Sequence, residues 1–245
     1  REMWTHVSKN DLYNNYVSHL FGDRHSFDGN EYAKFSETTI GFCKKYLPED
    51  KNARILDAGC GPGFFLYALR EHGYVNAHGV DLSEEMVQLA KKENLDVTQG
   101  DVFELLRNAN STYDLIVSTD VLEHLRKDEL LDYVSLIAKA LKPGGLFISS
   151  VPNADWPFAM RLRYQDLTHE NSFTRESYRQ LLLFAGMSWV HVEGNSLPPD
   201  SPLGVARFVV SRICRVFWRI FVFAEMGKDA IGLPLDFRLI GVARK

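Results

Sequence analysis

The sequence predicts an α/β domain, a parallel sheet with helices on both faces. Three observations predict it. Between residues 54 and 151, short apolar runs alternate with amphipathic stretches of helical period. Four of those runs end in an acid, at Asp57, Asp81, Asp101 and Asp120. Three glycines, Gly59, Gly61 and Gly63, stand at alternate positions after the first run. A chain needs such glycines where it turns sharply and lets a ligand reach the backbone.

The elements come in order. Residues 1–30 are polar and aromatic, with Trp4, Tyr13, Tyr16, Phe21 and Phe27 among Asn, His and Asp, and predict an irregular arm or short helices. Residues 31–47 predict a helix: Tyr32, Phe35, Ile40, Cys43, Tyr46 and Leu47 fall mostly on one face, with Pro48 just beyond. Residues 55–58 form the first strand, a short apolar run of the buried parallel kind. Residues 64–69 give the helix after the glycine turn, and 77–81 a second strand. Ser83 caps a helix over 84–93, with Glu84 and Glu85 where the helix dipole favours anions and Met86, Leu89 and Ala90 inward. Residues 95–101 and 113–120 give strands three and four. An amphipathic helix over 127–141 stops at Pro143-Gly144-Gly145, and a turn and fifth strand fill 141–153. Thr174 caps a helix over 174–185, and strands at 188–193 and 237–243 complete the set.

Composition bounds the function. The chain has 245 residues, 45% of them hydrophobic, enough for one domain with a sizeable core. A net charge of −4 lacks the basic footprint of a nucleic-acid binder. Cys43, Cys60 and Cys214 show neither metal spacing nor a disulfide framework, which points to a reducing, cytoplasmic setting. The opening residues, Arg1 to His6, carry no apolar signal stretch.

Strand, glycine turn and helix make a nucleotide-binding half unit. The dinucleotide fingerprint G-x-G-x-x-G is not met, because its third glycine falls on Phe64. The pattern Asp57-x-Gly59-x-Gly61-x-Gly63 instead resembles motif I of the class I S-adenosylmethionine (SAM)-dependent methyltransferases. Asp81 comes eighteen residues after Gly63. Next come Gly100-Asp101, then Glu123-His124-Leu125 after strand four, then the Pro-Gly-Gly turn and strand five, in the order of that family. The resemblance implies a Rossmann-like, seven-stranded, mostly parallel sheet of order 3-2-1-4-5-7-6, with strand 7 antiparallel. It implies SAM as cofactor and S-adenosylhomocysteine as product. The cofactor set it implies is Asp57, Gly59, Cys60, Gly61, Gly63, Asp81, Leu82, Met86, Asp101, Val102 and Asp120. In it Asp57 lies near the ammonium, Asp81 on the ribose, Asp101 on the adenine amine and Val102 against the ring. Tyr32 is a further candidate for the methionine end, and residues 1–47 for a lid.

Two stretches depart from the minimal fold. Residues 153–173 form a long loop on the catalytic edge, and a loop of that length is usually functional. It carries Trp156, Arg161, Arg163, Tyr164, Asp166 and His169. The run Asp166-Leu167-Thr168-His169, with Phe173-Thr174, Leu181-Leu182 and Ala185-Gly186-Met187, resembles bacterial methyltransferases of sugar and glycolipid assembly. Residues 195–236 replace a tight hairpin. Within them 203–226 form a cationic amphipathic helix, apolar except for Arg207, Arg212, Arg215, Arg219 and Glu225. The arginines argue against a membrane span. Packing on its own domain or on a second copy, a membrane-surface helix, and a substrate-gating cap all fit.

Methyl transfer to a hydroxyl gains from a positioned base, commonly histidine. His169, which Asp166 is close enough to orient, and His124 are the catalytic candidates. The carboxylates Asp120, Glu123 and Asp166 offer a divalent-ion alternative, but no metal is expected. The expected reaction is O-methylation of a sugar or glycolipid precursor. The second reading is O-methylation of a phenol or quinone precursor, as in the ubiquinone-pathway O-methyltransferases, which share Glu-His-Leu and Pro-Gly-Gly. A SAM-binding scaffold without transfer activity is the reading of another class.

Overall fold

The computed structural model describes residues 27, 29–195 and 201–245. Most of the expected aromatic arm, all but residues 27, 29 and 30, and most of the proline-rich turn before the long helix lie outside the described residues. Seven strands form one sheet: β1 Ile55–Ala58, β2 Ala77–Asp81, β3 Val97–Gln99, β4 Tyr113–Thr119, β5 Leu141–Pro152, β6 Trp189–Asn195 and β7 Arg238–Arg244. Their order is β3-β2-β1-β4-β5-β7-β6. The first five run parallel, and β7 is antiparallel to both β5 and β6. The fold class and strand order expected from the sequence are therefore found.

Helices cover both faces. On one lie α1 Gly29–Gly41, α2 Phe64–Glu71 and α3 Glu84–Lys92, joined by buried Tyr32, Ile40, Phe65, Leu69 and Val87. On the other lie α4 Val102–Asn108, α5 Lys127–Ala140 and α7 Arg175–Phe184, joined by Leu106, Tyr133, Ile137, Tyr178 and Leu182. Between α5 and α7 the chain forms α6 Ala159–Tyr164, and α8 Pro202–Met226 comes after β6. The caps read from sequence are made. Ser83 Oγ accepts from Met86 N at 3.4 Å, and Thr174 Oγ1 from Ser177 N at 3.1 Å.

Four expectations need correction. The first helix leaves its path at Gly41, a poor helix former, and a 3₁₀ turn at Lys44–Tyr46 comes next. Strand three is only Val97–Gln99, because Asp101 is an N-cap: its Oδ1 accepts from Phe103 N at 2.8 Å and starts α4. A helix of seven residues is too short to show a period, so the sequence conceals it. The stretch after β5 is not one loop, since α6 lies inside it. The Pro-Gly-Gly turn is absorbed into the first half of β5, which begins directly after α5.

The stretch between β5 and α7 is pinned at its base. Asn153 is fully buried; its Nδ2 donates to Pro234 O and Asp236 O, each at 2.6 Å, and its Oδ1 accepts from Asp155 N. Among the described residues, no helix is long and apolar enough to cross a membrane.

Candidate active site

The carboxyl ends of β1, β2 and β4 open onto a cleft of about 850 Å³. Open α/β sheets bind ligands at this edge, where the strand order reverses. The glycine turn forms its floor. Gly59, Gly61 and Gly63 all have positive φ, at 81°, 52° and 83°, which explains why glycine stands at each. They differ in what surrounds them. A Cβ on Gly59 would lie 2.4 Å from Val121 Cγ2, and one on Gly63 would lie 2.6 Å from Leu95 Cδ1. A Cβ on Gly61 would meet nothing within 4 Å, because that position faces the cleft.

The expected cofactor positions therefore divide in two. Asp57, Gly59, Cys60, Gly61, Asp81, Leu82, Met86, Asp101, Val102 and Asp120 line the cleft. Gly63 does not; it is the N-cap of α2 and packs on Ala90 of α3 and on Leu95, two residues before β3. Tyr32 is also placed differently, since its hydroxyl donates to Pro62 O beneath the loop. It braces the glycine turn from below.

The acids of this half differ in how their oxygens are satisfied. Asp57 is 1% exposed, and its Oδ1 is buried with no hydrogen-bond partner. Burial first, and the nearby Asp81 charge second, push its carboxyl up to about 8. Asp81 is better served: Oδ2 accepts from Gly61 N and Oδ1 from Ser83 N, both at 2.8 Å. Burial raises its pKa and those two backbone bonds oppose the rise. Each of its oxygens keeps a further lone pair for a donor from the cleft. An orphaned buried carboxylate oxygen, an open glycine and a doubly oriented acid fit the ammonium, backbone and ribose of SAM. The chain's residues match that cofactor.

The other half of the cleft is assembled from distant segments. Asp120 sits at φ 56°, and its carboxylate is held by Ser150 Oγ at 3.1 Å and by both-oxygen contact with Arg238 Nη1, the Oδ1 contact being 2.6 Å. It lines the cleft with its carboxylate paired to Arg238. Arg238 is a charged residue of the cleft that the sequence does not disclose. It begins β7, and only the register of β5 and β7 brings it to Asp120.

Next to it, a 3₁₀ turn at Leu122–His124 buries Glu123 and His124. The Glu123 carbonyl accepts from Glu170 N at 2.7 Å and Asn171 N at 3.0 Å, which fastens the stretch after β5 to this turn. Arg163 binds the carbonyls of His169 and Glu170 from its other side. His124 and His169 thereby meet edge to face, ring centroids 4.8 Å apart. Tyr164, expected beside them, is 69% exposed.

The hydrogen bonds decide the tautomers. His169 Nδ1 lies 2.8 Å from Leu162 O, and a carbonyl only accepts, so Nδ1 carries the proton. The neutral ring then has its lone pair on Nε2. His124 Nδ1 lies 2.8 Å from Thr168 Oγ1, whose proton goes to Asp166 Oδ1 at 2.7 Å. Thr168 must accept there, so His124 also carries its proton on Nδ1. Asp166 therefore orients His124 through Thr168, and the Leu162 carbonyl sets His169. This corrects the expected pairing of Asp166 with His169, which rests on nearness in sequence. Burial, then the neighbouring His169, lowers the His124 pKa to about 4. Burial, then the Asp120 charge, raises that of Glu123 well above the usual range, and Glu123 Oε2 is buried without a partner.

The expected carboxylate trio for a metal is not the group that forms. Among the described residues, Glu123, His124 and His169 bring one possible ligand atom each to within 4.8 Å of one another. Three converging acceptors of this kind are within reach of one divalent ion.

A seven-stranded sheet of this order, with a glycine loop and strand-end acids at its carboxyl edge, defines the class I SAM-dependent methyltransferase fold. The chain belongs to a methyltransferase-domain family, whose sequence model matches residues 32–192. It is 32% identical over 116 residues to a ubiquinone biosynthesis O-methyltransferase of Coxiella burnetii, covering 44% of this chain and 48% of that one. The chain spans about half the length of the curated relatives it matches. A SAM-dependent methyltransferase structure from Archaeoglobus fulgidus superposes with a TM-score of 0.65 at 21% identity, over 96% of this chain and 100% of that one. Phosphoethanolamine N-methyltransferase 2 of Haemonchus contortus, solved with SAM, superposes with a TM-score of 0.62 at 16% identity, over 98% of this chain and 60% of that one. At those identities the structures speak for the fold.

Proposed function

We propose that the chain methylates a phenolic hydroxyl, with SAM as donor and His169 as the general base. The paired histidines at the acceptor end of the cleft carry this reading. SAM supplies a methyl group already activated by its sulfonium. The protein has to align the acceptor, exclude water and take one proton.

His169 suits that last task. Its Nδ1 proton is anchored on Leu162 O, which leaves Nε2 to accept. His124 is held neutral down to about pH 4, which makes it a weak base. Arg238 offsets the negative charge of Asp120 beside them. Asp57, Asp81, Asp101 and Val102 would hold the cofactor, as the resemblance implies.

A phenol is preferred to the sugar hydroxyl that the sequence favours. Its pKa, about 10 as in tyrosine, lies within reach of an imidazole base. An aliphatic hydroxyl is a much weaker acid. The curated relatives named for ubiquinone biosynthesis support the same choice. The test is turnover of SAM with a catechol, a simple phenol and a hexose as acceptors. Methylated catechol or phenol is expected; methylation of the hexose alone overturns the choice.

The Glu123, His124 and His169 cluster supports a second reading, in which a divalent ion holds the acceptor oxygen. Dialysis against a chelator separates the two. Turnover that survives favours the base, and turnover restored only by added Mg²⁺ or Mn²⁺ favours the ion.

A further inference from the structure

We propose that α8 is a docking helix for an anionic lipid surface, lying flat on it and bringing the acceptor end of the cleft to the membrane. The inference rests on the helix and not on the identity of the acceptor.

None of the 25 residues of α8 is buried. Its inner face leans on the domain. Trp218 meets the ring of Phe158 at 6.2 Å, Arg215 pairs with Asp236, and Ser211 on the same face is half-buried. The outer face is different. At about 100° per residue, the arc of roughly 220° from Arg212 round to Arg207 and Glu225 carries no charged residue at all. Val209, Ile213, Val216, Phe217, Ile220 and Phe221 occupy it, from 50% exposed at Val209 to 69% at Phe217. A patch of this extent marks an interaction site on a soluble protein.

Charge identifies the partner. Arg212 and Arg219 border the apolar arc on one side and Arg207 on the other. Arginines in those positions reach headgroups while the apolar face sits among acyl chains. The helix holds four arginines and one acid, Glu225, in a chain of net charge −4. A second copy packed antiparallel on the same face would set the arginines of the Arg212 and Arg219 edge against each other. An anionic surface neutralises every one of them. The helix does not qualify as a span, so it lies along the surface.

The helix also connects to the site. Ring contacts run from Trp218 to Phe158, from Phe158 to Trp156 at 5.3 Å, and from Trp156 to Phe237 at 6.3 Å. Phe237 lines the cleft beside Arg238.

The test uses the full chain with vesicles of phosphatidylcholine alone and with 30% phosphatidylglycerol added. Each of three arginines near an anionic surface contributes enough that binding to the second is expected to be about 10²-fold tighter at low salt. Phe217→Asp should abolish binding to both, and Arg212→Gln with Arg219→Gln should remove about 20-fold of the anionic preference. Both variants should bind SAM like the wild type, since these side chains are exposed and lie away from the cofactor acids. A monomer that ignores both vesicles overturns the proposal. So does a dimer in sedimentation that Phe217→Asp splits, because a second copy then covers the face.

Discussion

The two ends of the cleft are built by different rules. The cofactor end is local: Asp57, Gly59, Gly61 and Asp81 come from one β-α-β unit, and backbone N–H groups orient the acid. The acceptor end is long-range: the turn at Glu123-His124, the stretch from Asn153 to Phe173, and Arg238 on β7 meet only once the sheet closes. One lesson is that a constraint on backbone conformation leaves a mark in sequence, whereas a constraint on tertiary register leaves none. The glycines at positive φ are visible as glycines. The Asp120–Arg238 pair spans 118 residues and has no local signature. A second lesson is that both ends hold groups in conflict between burial and charge, Asp57 at one and Glu123 and His124 at the other.

The largest effect is expected at His169. If the ends are separable, His169→Ala should lower turnover about 10²–10⁴-fold and leave SAM affinity intact. His124→Ala is the companion, and a loss confined to it would move the base to the 3₁₀ turn. In the converse experiment, Asp81→Ala removes charge-assisted hydrogen bonds and should weaken SAM by about 1.5–3 kcal/mol in calorimetry. Turnover at saturating SAM should change far less.

Third comes pH. Burial keeps the proton on Asp57 below pH of about 8 in the free protein. Pairing with a cationic ammonium requires the carboxylate, so binding must release that proton. SAM affinity should rise about tenfold from pH 6 to pH 7 and level off near pH 8, where the ligand's own amine starts to lose its charge. Calorimetry in buffers of different ionisation enthalpy counts the proton; none released would place the ammonium elsewhere. The smallest effect is expected for Thr168→Val. It cuts the link from Asp166 to His124, worth about 0.5–1.5 kcal/mol. Turnover should fall threefold to tenfold with SAM affinity unchanged, and no fall would make the link purely structural.

Much of the fold is legible because parallel strands here are short apolar runs with acids at their ends. What escapes has physical reasons. Asp101 reads as a strand end until Phe103 N is seen bonded to it, since a cap and a strand-end acid look alike in sequence. Gly63 reads as a ligand contact, but its neighbours Leu95 and Ala90 come from elsewhere in the chain. Asp166 reads as the partner of the nearer histidine, whereas Thr168 turns its influence to the farther one.

A crystal structure with S-adenosylhomocysteine tests most directly whether the reacting sulfur lies between these two ends. The adenosine should lie against Asp81, Asp101 and Val102, with the sulfur facing the cavity wall formed by His124 and His169. A ligand whose sulfur points away from both histidines, or whose adenine occupies their end of the cleft, would contradict it.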